Sequence, residues 1–315
     1  MAGTHLVERT ARRWTVRLPA GMADFARRGF RLDRPPARAV LEEHARSFLT
    51  GFNHAAGTWS APHVPLSGVP AEERGFAYEG AGMYAGLLDL ATMGRAHALD
   101  RLLAGPGNAY AHLVHVGAGW LFTAARIPAL PRLPATPLLR WLAVDGSGFG
   151  EVYFGGVEAL LRRARRGPGP HWEARLAGCG RALWFTQAAD AAGVGDVIAR
   201  AARPARPHLW AGVGLAAAYA GATDDDGRDS LLAKAGSHRD HLRQGVTFAA
   251  AARVRAGIVP GYTERACEQL LGVGSGQAAA WTDDTSADLC RSRDVTAYLR
   301  WKARLRELVA DRCRD

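Results

Sequence analysis

The chain has 315 residues, 48% of them hydrophobic, and a formal net charge of +10 at pH 7. That is enough apolar material for a large core, in one elongated unit or two close-packed halves. The positive charge does not point to nucleic acid: of the 40 basic residues only Lys234 and Lys302 are Lys, which reads as GC-rich coding, and no stripe of charge interleaved with aromatics gathers on one stretch.

The first residues, "MAGTHLVERTARRW", carry charge but no apolar run behind it, and nowhere does an uncharged apolar stretch approach 18 residues. A cytoplasmic protein without a membrane span is expected. Cys179, Cys267, Cys290 and Cys313 are far apart and form no C-x-x-C pair, so they read as free thiols. Residues 1–70 read as an irregular amino-terminal cap, because "RPP" at 34–36 and "SAPHVPLSGVP" at 60–70 are rich in helix breakers.

From there to residue 290 a period shows in the glycines. "GAGMYAGLL" from Gly80, "GAGWLFTAA" from Gly117, "GFGEVYFGG" from Gly148, "GRALWFTQA" from Gly180, "GVGLAAAYA" from Gly212 and "GVTFAAAAR" from Gly245 align at intervals of 37, 31, 32, 32 and 33. That spacing is close to the repeats of helical-hairpin proteins. Second helices are predicted at 94–105, 194–202, 228–238 and 264–272, each with apolar residues at helical spacing and charges opposite. "PALPRLPATP" at 128–137 reads as an extended polyproline connector, and "GPGP" at 167–170 closes a helix that ends in "LRRARR". The last helix, 295–313, should cap the stack in a carboxyl-terminal segment from 291 to 315. No stretch alternates as a strand. The predicted fold is all-α: stacked helical hairpins of about 32-residue period, as an open superhelix or a closed α/α toroid. A helix-interior glycine costs roughly 1 kcal/mol relative to Ala, so close approach of neighbouring helices is the reason expected for the recurrence.

"FARRGF" at 25–30, "LEEHARSFLTGFN" at 41–53, "ERGFAYEGAGM" at 73–83, "LAVDGSGFGEVYF" at 142–154, "GCGRALWFTQAAD" at 178–190, "LWAGVGLAAAYAG" at 209–221 and "LRQGVTFAAAAR" at 242–253 follow one another in this order. Together they resemble the domain-of-unknown-function family encoded beside enediyne polyketide synthase clusters in actinobacteria, over nearly the whole chain. The resemblance implies a cytoplasmic participant in secondary metabolism that acts on a polyketide-derived or otherwise apolar intermediate. "GATDDDGRDSLL" and "WTDDTSADLC" are richer in Asp than that pattern.

The candidate acids lie on the small-residue helices. Glu79, Glu151 and Gln187 fall at minus one, plus three and plus seven relative to the aligned glycine, and the last two are one helical turn apart. Asp145 and Asp190 extend the set, beside the polar Tyr78. Trp120, Phe122, Phe149, Tyr153, Trp184, Phe185 and Tyr219 would line a cavity suited to polyene or cationic species. Carboxylates in such a place have raised pKa values and serve as general acids. The alternative is that each acid ties one repeat to the next through an Arg or a helix end.

A second candidate is D-D-x-x-D at Asp225, Asp226 and Asp229, with Asp283, Asp284 and Asp288 as a further cluster. Such a motif in class I terpene cyclases holds magnesium and a diphosphate through hard oxygen ligands; the alternative is helix capping. "GSGFG" and "GVGSG" lack the setting and the Lys of a phosphate loop, and the His pairs at 112/115 and 238/241 lack a third ligand. The leading expectation is an enzyme that folds an apolar, polyene-like intermediate and promotes its cyclisation or rearrangement by acid catalysis, without a cofactor. The alternatives are a magnesium-dependent cyclase of prenyl diphosphates and a non-enzymatic scaffold for other pathway proteins.

Overall fold

The computed structural model describes residues 16–124, 136–167, 169 and 171–313, and the side chains of 122–124 lie outside that set. Among the described residues there are helices and no strand, so the fold is all-α. Nine principal helices are numbered here: α1 (Pro35–Gly57), α2 (Arg74–Ala91), α3 (Ala111–Ala124), α4 (Leu142–Ala164), α5 (Trp172–Thr186), α6 (Arg206–Ala220), α7 (Arg239–Arg255), α8 (Ser275–Ser286) and α9 (Val295–Arg312). From α1 to α8 each packs on the next.

Each of the six interfaces from α1 to α7 is a reciprocal glycine contact. Gly80 of α2 meets the Phe48 carbonyl of α1, while Gly51 of α1 meets the Ala77 carbonyl of α2. Gly82, two positions on and therefore on nearly the opposite side of the helix, meets Val114 of α3, and Gly117 returns the contact to Glu79. The pattern runs on through Gly119 and Gly146, Gly148 and Gly178, Gly180 and Gly212, and Gly214 and Gly245. A Cβ at any of these would come within 3.0 Å of a neighbouring carbonyl oxygen, closer than real Cβ contacts allow. The glycines are thus required by backbone-to-backbone packing, which offsets their cost to the helix. Contacts further along the helices fix their direction: His44 packs on Phe76 and Phe52 on Tyr84, Trp141 on His171 and Phe149 on Phe185, so residue numbers rise together and these neighbours run parallel.

Parallel neighbours need a return path. The helices Ala98–Leu103, Ala191–Arg200, Asp225–Ala235 and Gly261–Leu271 supply it, where second helices were expected. Between α4 and α5 no separate helix does so: Gly156, at φ 66°, breaks α4 in two, and the piece after it begins the return. Residues 125–135, with most of the polyproline connector, and two prolines of "GPGP" lie outside the described set.

The amino-terminal region differs from the irregular cap expected of it. Pro35 and Pro36 occupy the first turn of α1, where their missing N–H groups cost nothing. Leu41, Phe48 and Phe52 then bury one face of a 23-residue helix that joins the glycine row. The row also curls back on itself. His44 on α1 hydrogen-bonds the Ala220 carbonyl at 2.9 Å. Arg253 on α7 donates to the carbonyls of Glu72 and Tyr219 at 2.8 and 2.6 Å. At the other end α9 packs on α7 and α8, where the Trp301 indole N–H donates to Thr282 O at 2.9 Å.

Candidate functional site

The curled row encloses one apolar cavity with about 690 Å³ of space free of atoms, including its mouth, of which about 50 Å³ can hold the centre of a water molecule. It is therefore a slot. Its wall follows the glycine register. The first glycine of each pair is Gly80, Gly117, Gly146, Gly178 and Gly212, and three positions beyond each stand Met83, Trp120, Phe149, Arg181 and Leu215, all of which line the cavity. One turn further on, Tyr153, Phe185 and Tyr219 extend the wall, and Glu79 lies just before its glycine. The segment before α1 lies across one side: Leu18 and Met22 face the cavity, and the Tyr153 hydroxyl donates to Met22 O at 2.9 Å.

Two charged groups interrupt this apolar lining. Glu79 is 4% exposed and accepts the Trp120 indole N–H at 2.9 Å. Burial pushes its pKa up to about 7, against the opposing pull of Arg181 and of that hydrogen bond. Arg181 donates from Nε to Asp145 Oδ1 at 2.7 Å, holds Nη2 2.6 Å from the same oxygen, and lays its guanidinium 4.9 Å from the Phe149 ring centre. No ion pair joins Glu79 to Arg181. Asp145 precedes Gly146 as Glu79 precedes Gly80, and burial raises its pKa too, with Arg181 and then Lys302 opposing.

Of the expected site residues, the structure brings Glu79, Trp120, Phe149, Tyr153, Phe185 and Tyr219 to this cavity. Asp145 stands behind it as the counter-ion of Arg181. The remainder face elsewhere. Glu151 accepts from Arg163 at 2.9 Å, with Arg175 3.8 Å away. Asp190 caps the helix that follows it, accepts from Gly193 N at 2.7 Å, and pairs with Arg31. Gln187 ends α5. Trp184 is fully buried and donates to Gly221 O at 3.0 Å. Tyr78 points away from its neighbour Glu79; it stacks on Tyr110 at 4.3 Å, and its hydroxyl lies 3.0 Å from His63 Nδ1. The Phe122 side chain lies outside the described residues.

The aspartates of D-D-x-x-D open the helix Asp225–Ala235 and do not line the cavity. Asp225 pairs with Arg228, Asp229 accepts from Gln269 Nε2 at 2.6 Å, and the cap itself is Asp224, which accepts from Gly227 N at 2.9 Å. Asp288 pairs with Arg304. Among the described residues no group of three or more His, Cys, Asp or Glu is placed to hold a metal ion.

The family is now decided by a match over nearly the whole chain: a model described as "Protein of unknown function (DUF1702)" covers residues 7–309. The chain belongs to the DUF1702 family. No curated protein and no solved structure matches it. No helix among the described residues of this DUF1702 chain is long and apolar enough to cross a membrane.

Sequence reasoning missed Arg181, and the reason is one of register. Both glycines of a pair satisfy the alignment used above, and in α4 and α5 the second of each, Gly148 and Gly180, stood in for the first. Counted from Gly146 and Gly178, the plus-three and plus-seven places hold Phe149, Arg181, Tyr153 and Phe185 in place of Glu151 and Gln187. The G-x-G pair was the available signal.

Proposed function

We propose that the protein is an enzyme of natural-product biosynthesis that holds a slender, apolar, unsaturated intermediate in this slot and promotes its cyclisation or rearrangement, with Glu79 as the general acid. The observation that carries the reading is a single carboxyl group, with a pKa near 7 and no ion pair, set in an aromatic-lined cavity. A group with that pKa is both protonated in part and able to give up its proton near neutral pH, where acid catalysis is most effective. The Trp120 N–H and the charge of Arg181 would stabilise the carboxylate left behind, and the rings of Trp120, Phe149 and Tyr153 would stabilise positive charge on the intermediate. Return of the proton to Glu79 from the rearranged product closes the cycle with no co-reactant. A scaffold that only grips partner proteins would gain nothing from an internal acid. The resemblance to the family encoded beside enediyne polyketide synthases supplies the metabolic setting.

The test is Glu79→Gln in a reconstituted pathway. Product formation should fall by about 100-fold or more, as expected for loss of a general acid, while Glu151→Gln should leave it unchanged. Full product formation by Glu79→Gln would remove the acid role.

A further inference from the structure

Arg181 is 6% exposed and lines the cavity, yet of its five N–H donors only the one on Nε makes a hydrogen bond, to Asp145. Nη2 lies 2.6 Å from the same Asp145 oxygen but is buried without a hydrogen bond. Asp145 thus pairs with Arg181 on one side and leaves Nη1 without a hydrogen bond. The other charged group of the slot is Glu79, which in its protonated form is also a donor, and its Oε1 is already occupied by Trp120. His44 has both ring nitrogens engaged, with Glu73 and the Ala220 carbonyl, and the Tyr153 hydroxyl donates to Met22 O, so Arg181 is the charged donor left to a ligand in a largely apolar wall. A buried donor without a partner costs on the order of 1–3 kcal/mol, which a ligand with a matching acceptor would recover.

We propose that the ligand of this cavity is an unsaturated chain that carries one oxygen acceptor, a carboxylate or a carbonyl, and that Arg181 binds this oxygen. The assignment rests on the reading of the cavity as a substrate site and names the substrate class. Asp145 is the positioning residue: it fixes the guanidinium in the cavity wall through Nε, and Nη1 makes no hydrogen bond. A planar fork suits a carboxylate, which it can meet with two parallel N–H bonds. A neutral carbonyl would take one such bond.

The experiment measures binding, so its outcome is separate from turnover. The probes are a conjugated tetraenoic fatty acid, its methyl ester, and the hydrocarbon with the same conjugated system, each followed by the rise in polyene fluorescence on burial. The acid, the ester or both should bind at least ten-fold more tightly than the hydrocarbon, and the order of acid and ester tells carboxylate from carbonyl. Because Arg181→Met alone would strand Asp145, the variant to use is Asp145→Asn with Arg181→Met. It should keep the hydrocarbon affinity and lose the preference for the oxygenated probes. Arg181→Lys, which keeps the charge without the fork, should lose more of the preference for the acid than of that for the ester. Equal binding of acid, ester and hydrocarbon, binding of none of them, or a preference that survives in the double variant would overturn the proposal. Glu79→Gln should bind the probes with the preference intact. If it does so and still forms product, the acid role of Glu79 fails while the assignment of Arg181 stands.

Discussion

Glu79→Gln tests the electrostatics of the cavity without any substrate. The carboxyl group has a folded-state pKa of about 7 against an ordinary value of 4.5, the largest cause being burial. Since the folded pKa lies above the unfolded one, the folded state holds the proton more tightly. The wild-type protein therefore has its full stability below about pH 4.5 and loses part of it as pH rises towards 7. At 1.36 kcal/mol per pH unit, the loss is about 3 kcal/mol by pH 8. Glutamine has no proton to lose. It keeps the shape of the side chain and can still accept the Trp120 N–H, so any fixed cost of the substitution is a constant offset. Urea denaturation of both proteins between pH 4 and 8.5 gives the stability difference at each pH. All other titrating groups are common to the two proteins and cancel. The difference should move in favour of Glu79→Gln by about 3 kcal/mol across that range. A difference that stays flat would mean that Glu79 titrates like an ordinary surface carboxylate, and the argument for a general acid would lose its basis. A difference that moves the other way would mean that Arg181 outweighs burial.

Five further outcomes are expected. Gly212→Ala should destabilise by about 3 kcal/mol or more, or prevent folding, because its Cβ would meet the Ala177 carbonyl; Gly276→Ala, with nothing within 4 Å, should stabilise by about 0.5–1 kcal/mol in the same melts. Arg253→Met should cost about 3 kcal/mol, since it orphans the Glu72 and Tyr219 carbonyls and the Tyr262 hydroxyl. Native protein treated with a disulfide reagent should be labelled first at exposed Cys290, with buried Cys179 and Cys267, whose thiol pKa values burial raises, reacting only after denaturation. Excess magnesium should leave the melting temperature unchanged; a rise that Asp225→Asn abolishes would revive the diphosphate reading.

Much of the fold was legible because its constraint is written in one residue type. A glycine pair two positions apart places bare backbone on opposite sides of a helix, and only a helix with close neighbours on both sides needs that. The return helices were legible for the ordinary reason of one apolar face, as in Val194, Val197 and Ile198, which are buried in the helix Ala191–Arg200. What failed in the amino-terminal region was weighting. "RPP" reads as a breaker when only its prolines are considered, but proline in the first turn of a helix is a start signal. The spacing of Leu41, Phe48 and Phe52 behind it carried the information that α1 exists.

The site was less legible because a helix presents its faces in steps of 100° per residue, so an error of two residues turns the reading by more than half a circle. Reading from Gly148 and Gly180 selected Glu151, which ties the surface through Arg163, over Phe149 on the cavity wall. The same shift hid Arg181, although in the correct register it occupies the place of Trp120 and Phe149. That substitution of a cation into a position otherwise filled by Met, Trp, Phe and Leu is what sets the chemistry of the slot. In an otherwise apolar wall a guanidinium requires a buried counter-ion, and Asp145 provides it from the adjacent helix, in the place that Glu79 fills on α2. Two carboxyl groups in equivalent positions therefore have different surroundings. Asp145 has an arginine as hydrogen-bonded partner, whereas Glu79 has only an indole N–H, although burial raises the pKa of both. The divergence of these two groups follows from which helix carries Arg181, and no count of acids along the chain reveals it without the register.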